Sequence, residues 1–200
     1  MINKVVYILL IITVLLTGCV YKPVYLMPNF APPARIAVLP FANNTVDMAG
    51  PEVLRKLAIK KMESKGYILE ETDTIDSKLR EEGITNAGQL QSITDEELGK
   101  LFNVDAVLYG TVLEFNYTTL GIYYKRAVKA RFKLVNTHTG ETIWEDERTS
   151  YHDEIFTKNI KDALLEQLKE KAVDKLLRLP LMQESHEVVN SSFLTLPSAR

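Results

Sequence analysis

The chain has 200 residues, enough for one domain with a sizeable core plus terminal segments. Its 24 lysines and arginines nearly balance 26 acidic residues, for a formal net charge of −2, which excludes the basic composition of nucleic-acid-binding proteins. A single cysteine cannot form an internal disulfide, so the fold must rely on its core.

The first 18 residues have the pattern of an export signal. Lys4 precedes an apolar run from Val5 to Leu16, and about a dozen apolar residues suit a signal peptide, whereas a spanning helix needs ~20. The order Leu16-Thr17-Gly18-Cys19 resembles the bacterial lipobox, which is cleaved before the cysteine. The resemblance implies lipidation of the Cys19 sulfur, with palmitate among the acyl chains. The alternative is an uncleaved anchor with an incidental cysteine.

Residues 19–34 are predicted to tether the domain to the membrane. Their four prolines favour an extended chain, which at ~3.1 Å per residue holds the domain a few tens of Å from the bilayer. The aromatic residues Tyr21, Tyr25 and Phe30 leave open a second interpretation, in which part of the segment packs on the domain or on a partner.

The folded domain is predicted to occupy residues 35–179. Arg35 to Pro40 is a short apolar run ended by proline, as expected of a strand buried on both faces. A helix is predicted from Glu52 to Lys65, followed by a strand at residues 67–69. Because a helix intervenes, these strands should be parallel neighbours joined by a right-handed crossover.

Short helices and a β meander come next. Thr94 is predicted to cap a helix, with Glu97 at the capping-box position. The three meander strands alternate in polarity and span Val104–Tyr117, Tyr123–Val135 and Glu141–Thr149.

A closing helix is predicted from Glu154 to Leu177, and residues 180–200 are predicted to form a polar, flexible tail. The element order indicates an α/β fold with a single mixed sheet: β-α-β, short helices, an antiparallel meander and a C-terminal helix. The helices are expected mainly on one side of the sheet.

One face of the middle meander strand is basic and carries Lys125, Lys129, Arg131 and Lys133. It is either a binding surface or a solvated sheet face. The second interpretation is favoured because Glu145, Asp146 and Glu147 on the next strand offset the charge. Trp144, the only tryptophan, is predicted to lie in the core.

Motifs of catalysis are absent from the sequence, including the phosphate loop, the Rossmann fingerprint, HExxH and GxSxG. His138, His152 and His186 are scattered and are predicted to be surface residues, not metal ligands. The sequence therefore predicts no enzyme, no cofactor and no metal site.

The loop at residues 41–50 is the candidate partner-binding site, because ligands of parallel α/β units gather at the carboxyl ends of strands. It combines apolar and amide side chains, as binding loops do, in Phe41, Asn43, Asn44, Val46 and Met48. The alternative is structural: the two asparagines shape the turn while Phe41 packs under the helix.

Four segments carry a family resemblance, in the order RIAVLPFANNTVDMAGPEVL, KGY, NVDAVLYGTVLEF and KLVNTHTGETIWE. Together they resemble a family of Gram-negative outer-membrane lipoproteins that includes a neisserial vaccine-candidate lipoprotein and is described as transporter-associated. The layout is more distantly similar to the TolB N-terminal domain, the penicillin-binding-protein activator lipoproteins and the curli secretion-channel lipoproteins. Asn136 departs from the aspartate that these domains often carry.

The resemblance implies a periplasmic domain held on the outer membrane by its lipid. The residue after the cysteine is Val20 and not aspartate, which resembles the pattern of lipoproteins sorted to the outer membrane. The predicted function is docking of an envelope protein in a cell-envelope system, with two points left open: an association with transport and self-association. The alternative is an oligomeric secretion channel of the curli type. A channel needs strands with a continuous apolar side, whereas the hairpin from Asn116 to Arg131 carries charge on both faces.

Overall fold

The computed structural model describes residues 21–120, 123–155, 165, 168–169 and 181–199. The strands are β1 Tyr25–Leu26, β2 Ile36–Val38, β3 Ala42–Asn43, β4 Ala106–Leu120, β5 Tyr123–Asn136 and β6 Thr142–Ile155. The helices are α1 Gly50–Ser64, α2 Thr72–Glu81, a 3₁₀ helix Ala87–Ser92, α3 Asp95–Phe102 and α4 Met182–Phe193. All six strands form one mixed sheet in the order β1-β6-β5-β4-β2, with β3 also paired to β4.

The β-α-β unit begins with β2, whose three residues are fully buried. β2 runs parallel to β4, with Ile36 opposite Ala106. On its other side, the predicted strand at residues 67–69 is reduced to one parallel bridge between Leu69 and Ile36. The prediction of parallel neighbours across a helix is therefore confirmed, although the second strand is shorter than expected.

Helices cover both faces of the sheet, which corrects the expectation that they lie mainly on one side. Ile36 and Val38 belong to a core that also contains Leu54 of α1 and Phe193 of α4. The alternate residues of the same run, such as Ala37, belong to a second core built on α2 and α3. A strand whose side chains are apolar on both faces needs cover on both, because successive residues point in opposite directions.

The meander of β4, β5 and β6 is antiparallel, as predicted, and its strands are 14 or 15 residues long. β6 reaches Ile155, so it includes the first residues of the predicted closing helix, most of which lies outside the described residues. In the β5–β6 turn, Asn136 Oδ1 accepts hydrogen bonds from the backbone N–H of His138 at 2.8 Å and of Thr139 at 3.1 Å. The Asn136 amide oxygen thus stabilises the turn, which is intact without the aspartate that the similar domains often carry.

The C-terminal segment contains α4 and packs into the core, which corrects the prediction of a polar tail without a pattern. Val188, Val189, Phe193 and Leu196 are buried against the sheet and α1. The polar composition of this segment does not mean that it is exposed, because several of its polar residues, among them Glu184 and Ser192, are buried beside these apolar ones.

The segment at residues 21–27, which we call the strap, lies along β6. Tyr25 and Leu26 pair antiparallel with Glu145 and Trp144, and the Met27 N–H donates to the Ile143 carbonyl at 2.9 Å. The folded unit therefore begins well before residue 35. This corrects the prediction of an extended tether and agrees with the second interpretation, in which part of the segment packs on the domain.

Candidate functional site

The loop after β2 is stiffened by its own polar side chains. Asn43 Oδ1 accepts hydrogen bonds from the Thr45 N–H at 3.0 Å and from Thr45 Oγ1 at 2.8 Å. Asn43 Nδ2 donates to the Asp47 carbonyl at 2.9 Å, and Asp47 Oδ1 accepts from the Ala49 N–H at 2.8 Å. Asn43 therefore shapes the turn, as the structural alternative predicted, and the loop enters α1 in a defined conformation.

Phe41 lies in the core and is not available to a partner. Its ring packs edge-on against Phe132 with 5.8 Å between centroids. It also lies over Gly110 of β4, where an added Cβ would come within 2.5 Å of the ring. The absence of a side chain at Gly110 lets the ring pack against the strand. The choice of Phe41 as a candidate binding residue is therefore wrong, and its burial agrees with the structural alternative.

Val46 and Met48 project from the same loop into solvent. The two residues are 98% and 84% exposed. Asn44 is also exposed, between the two stiffening residues Asn43 and Thr45. The structure therefore places three of the five predicted binding residues on an accessible surface, which we call the docking loop (residues 43–48).

A groove of about 810 Å³ lies next to the start of this loop. One wall is the 3₁₀ helix and the first turn of α3, and the other is the open face of β4, β5 and β6. Its lining includes Pro40, Ala42, Ile93, Asp95, Tyr109, Thr111, Arg131, Lys133 and Glu145. This groove could not be predicted from the sequence, because it forms between elements far apart in the chain.

Charged groups in the groove are arranged around Tyr109. The Tyr109 hydroxyl donates to Asp95 Oδ1 at 2.6 Å, and the Lys133 ammonium lies 5.1 Å from the centroid of its ring. Burial raises the pKa of Tyr109, and the neighbouring Asp95 carboxylate raises it further. Tyr109 therefore stays protonated at neutral pH and holds the N-terminus of α3 against the sheet. The predicted capping box of that helix, Thr94 with Glu97, is present.

Most of the basic face of β5 is paired with acids on its neighbours, as the favoured interpretation predicted for Glu145 and Glu147. The third predicted acid, Asp146, is instead buried on the opposite face of the sheet. Glu147 accepts from Lys129 at 2.7 Å and from Arg131 at 2.6 Å. These two hydrogen bonds lower the pKa of Glu147. Lys125 lies 3.9 Å from Glu114 on the other side. Lys125, Lys129 and Arg131 are therefore paired with acids of the adjacent strands.

Trp144 is fully buried, which confirms its place in the core. His138, His152 and His186 are exposed. Within the part of the chain that the structure describes, no group of three or more His, Cys, Asp or Glu side chains could hold a metal ion. Cys19 lies outside that part, and no helix inside it is long and apolar enough to cross a membrane.

Comparison with known families identifies the chain. The model of the family described as "Putative lipoprotein GNA1162-like" matches residues 25–196. The chain belongs to this lipoprotein family. The match confirms the resemblance inferred from the sequence. It includes both β1 and α4, the two elements that the sequence analysis placed outside the domain.

Neisserial lipoproteins are among the relatives. The chain is 28% identical over 112 residues to the Neisseria meningitidis protein named "Putative lipoprotein NMB1124/NMB1162"; the alignment covers 56% of this chain and 52% of that protein. The chain thus matches about half the length of this relative. The crystal structure of lipoprotein GNA1162 from Neisseria meningitidis aligns with a TM-score of 0.55 and 25% identity, covering 73% of this chain and 99% of that one. This alignment confirms the predicted mixed α/β fold.

A more distant likeness is to the PelC dodecamer from Paraburkholderia phytofirmans. The TM-score is 0.49 at 15% identity, with 88% of this chain and 96% of that chain covered.

Proposed function

We propose that this protein is a lipid-anchored docking domain of the cell envelope, which binds another envelope protein through its docking loop. The observation that carries the proposal is the exposure of Val46 and Met48 on a loop that internal hydrogen bonds already hold in shape. Membership in a lipoprotein family and the Cys19 motif support the anchored location.

The energetics of the loop favour binding by a protein surface. Burying a valine or methionine side chain contributes ~1.5–3 kcal/mol, and Val46 and Met48 have almost none of this stabilisation in the free protein. Because Asn43 and Asp47 already fix the backbone, little conformational entropy is lost when a partner binds. A preformed loop with two apolar anchors is therefore suited to an apolar recess on a partner.

The groove can extend the same interface. It begins at Pro40 and Ala42, directly before the docking loop, and its floor carries both signs of charge in Arg131, Lys133 and Glu145. Polar groups at the rim of an apolar contact provide orientation more than affinity.

The proposed location is the periplasmic side of the outer membrane. The leader and the lipobox are signals for export and lipidation. A valine at position 20, directly after the cysteine, resembles the pattern of lipoproteins sorted to the outer membrane. The proposed partner is an envelope protein with an exposed apolar recess, and participation in a transport-associated system is part of the same proposal.

A double substitution tests the docking loop. Val46→Ser with Met48→Ser should reduce partner capture by in-cell cross-linking at least about tenfold, because each lost apolar anchor removes ~1.5–3 kcal/mol of binding free energy. Thermal stability should stay within about 0.5 kcal/mol of wild type, since both side chains are exposed. Capture is measured by mass spectrometry of the cross-linked envelope proteins.

Ile68→Ser is the matched control. Ile68 is also an exposed apolar residue, but it lies beside the start of β2, whereas the docking loop follows the end of that strand. It should leave capture unchanged, as should Asn44→Ala if the apolar anchors dominate. Normal folding and wild-type capture in the Val46/Met48 variant would mean that the loop is only structural. The next surface to test would then be the Lys125, Lys129 and Lys133 face.

A further inference from the structure

The strap is fixed to the domain almost immediately after the proposed lipid site. Arg148 of β6 donates from Nη2 to the Lys22 carbonyl at 2.7 Å, and its guanidinium lies 5.2 Å from the centroid of the Tyr21 ring. Arg148 is itself oriented by Asp146, whose Oδ2 accepts from Arg148 Nε at 2.9 Å. These contacts, together with the β1–β6 pairing, hold the strap from residue 21 onward against one edge of the sheet.

The few residues between the lipid and the strap keep the strap close to the bilayer. Only Val20 separates Cys19 from Tyr21, and two extended residues span at most about 7 Å. An acylated Cys19 is held at the bilayer interface by its chains. A strap that is bound to β6 from Tyr21 therefore keeps this edge of the domain at the level of the lipid headgroups.

We propose that the strap edge of the sheet rests on the membrane surface and contacts lipid through Tyr21, Val24, Tyr25 and Leu26. This inference rests on the proposed lipidation of Cys19. The partner is a phospholipid headgroup and upper acyl layer, and the contact orients the domain as well as holding it close.

The side chains of the strap suit that environment. Four large apolar residues within six positions are exposed, and Val24 reaches 65%. Tyrosine favours the membrane interface, where its ring is partly in hydrocarbon and its hydroxyl stays hydrated. Lys22 is also exposed and can meet the phosphates of anionic lipids.

The strand order then determines which surface faces away from the membrane. β1 and β3 are separated by β6, β5 and β4, so four interstrand spacings, about 19 Å in all, lie between the strap and the docking loop. The sheet thus acts as a spacer, with lipid contact at one edge and partner binding at the other.

Site-directed spin labelling of the full-length, lipidated protein tests this orientation. Because the Cys19 sulfur carries the lipid, a cysteine introduced by Val24→Cys or Ile68→Cys is the only free thiol for a nitroxide. Ile68 is the matched control, since it has the same 65% exposure and lies beyond β2 at the far edge of the sheet. The labelled proteins are reconstituted into vesicles of phosphatidylethanolamine and phosphatidylglycerol.

The measurement is the collision rate of each nitroxide with oxygen, which concentrates in lipid, and with a water-soluble nickel complex. The label at position 24 should show an oxygen-to-nickel ratio several-fold above that at position 68. In the Cys19→Ala background, which is not lipidated, the position 24 label should be as accessible to nickel as the position 68 label.

Vesicle flotation separates this inference from the lipid anchor. If the protein floats with the vesicles but the oxygen-to-nickel ratio is the same at positions 24 and 68, the proposed membrane contact is wrong and the lipid anchor is unaffected. Protein that does not float overturns the anchor, and the inference with it. A position 24 label shielded from both oxygen and nickel also overturns the lipid contact, because it indicates that a second copy or another protein covers the strap.

Discussion

Trp144→Ala should lower the free energy of unfolding by about 3–5 kcal/mol, the usual cost of removing a buried tryptophan. The indole is fully buried and packs against Phe193 of α4 with 5.2 Å between centroids. Its Nε1 donates to Thr195 Oγ1 at 3.0 Å, and its backbone pairs with Leu26 of the strap. The substitution therefore opens a cavity where β6, α4 and the strap meet.

Urea unfolding followed by circular dichroism measures this loss, because the variant has no tryptophan for fluorescence. Trp144→Phe is the graded control: it retains a ring against Phe193 but loses the hydrogen bond to Thr195, so its cost should be smaller. Unchanged stability of Trp144→Ala would show that Trp144 does not contribute to the core and would remove the structural basis for placing α4 on the sheet.

The Trp144 site also contains a buried acid. Asp146 Oδ2 accepts from Ser192 Oγ at 3.1 Å and from Thr195 Oγ1 at 3.4 Å, in addition to Arg148. Burial raises the pKa of Asp146 and outweighs the lowering effect of Arg148 and the hydrogen bonds. One carboxylate thus links the end of α4 to the arginine that holds the strap.

Elements whose pattern is local could be predicted from the sequence. β2 is a continuous apolar run because both of its faces are buried, and the meander alternates because one face of β5 is core and the other is charged. The cross-strand pair Arg131 and Glu147 was predictable for the same reason, since the two residues lie directly opposite in the register.

Elements that depend on distant partners could not be predicted. β1 has two residues, and its partners Trp144 and Glu145 lie more than a hundred positions later. The polar composition of α4 is that of a solvated tail. Its polar residues are buried because they bind partners that are distant in the sequence, as Glu184 binds Arg126. In the candidate site, the turn at Asn43 was predictable from its residue types. The exposure of Val46 and Met48 was not, because apolar residues are usually buried, and the burial of Phe41 depends on Gly110 of β4.

Cys19→Ala should release the protein from the membrane fraction completely and abolish labelling by a palmitate analogue. Each buried methylene contributes ~0.8 kcal/mol, so two acyl chains already give a stable anchor. The contacts proposed for Tyr21, Val24, Tyr25 and Leu26 are interfacial and add orientation, but without the lipid they are too few to retain the domain. The exposed charge of Lys22 adds only an attraction that salt screens.

Fractionation of cells, with a high-salt wash of the membranes, measures the release, and the Val46/Met48 serine variant is the control that should stay anchored. High salt removes electrostatic binding but not acyl insertion, so it distinguishes the two modes of attachment. A Cys19→Ala protein that remains in the washed membranes would mean that residues 1–18 persist as an uncleaved anchor. Because Cys19 is part of the cleavage signal, the wild-type protein decides between the two anchors: if it also takes up no palmitate analogue, the cysteine is incidental and the strap is not fixed at the bilayer surface by a lipid two positions away.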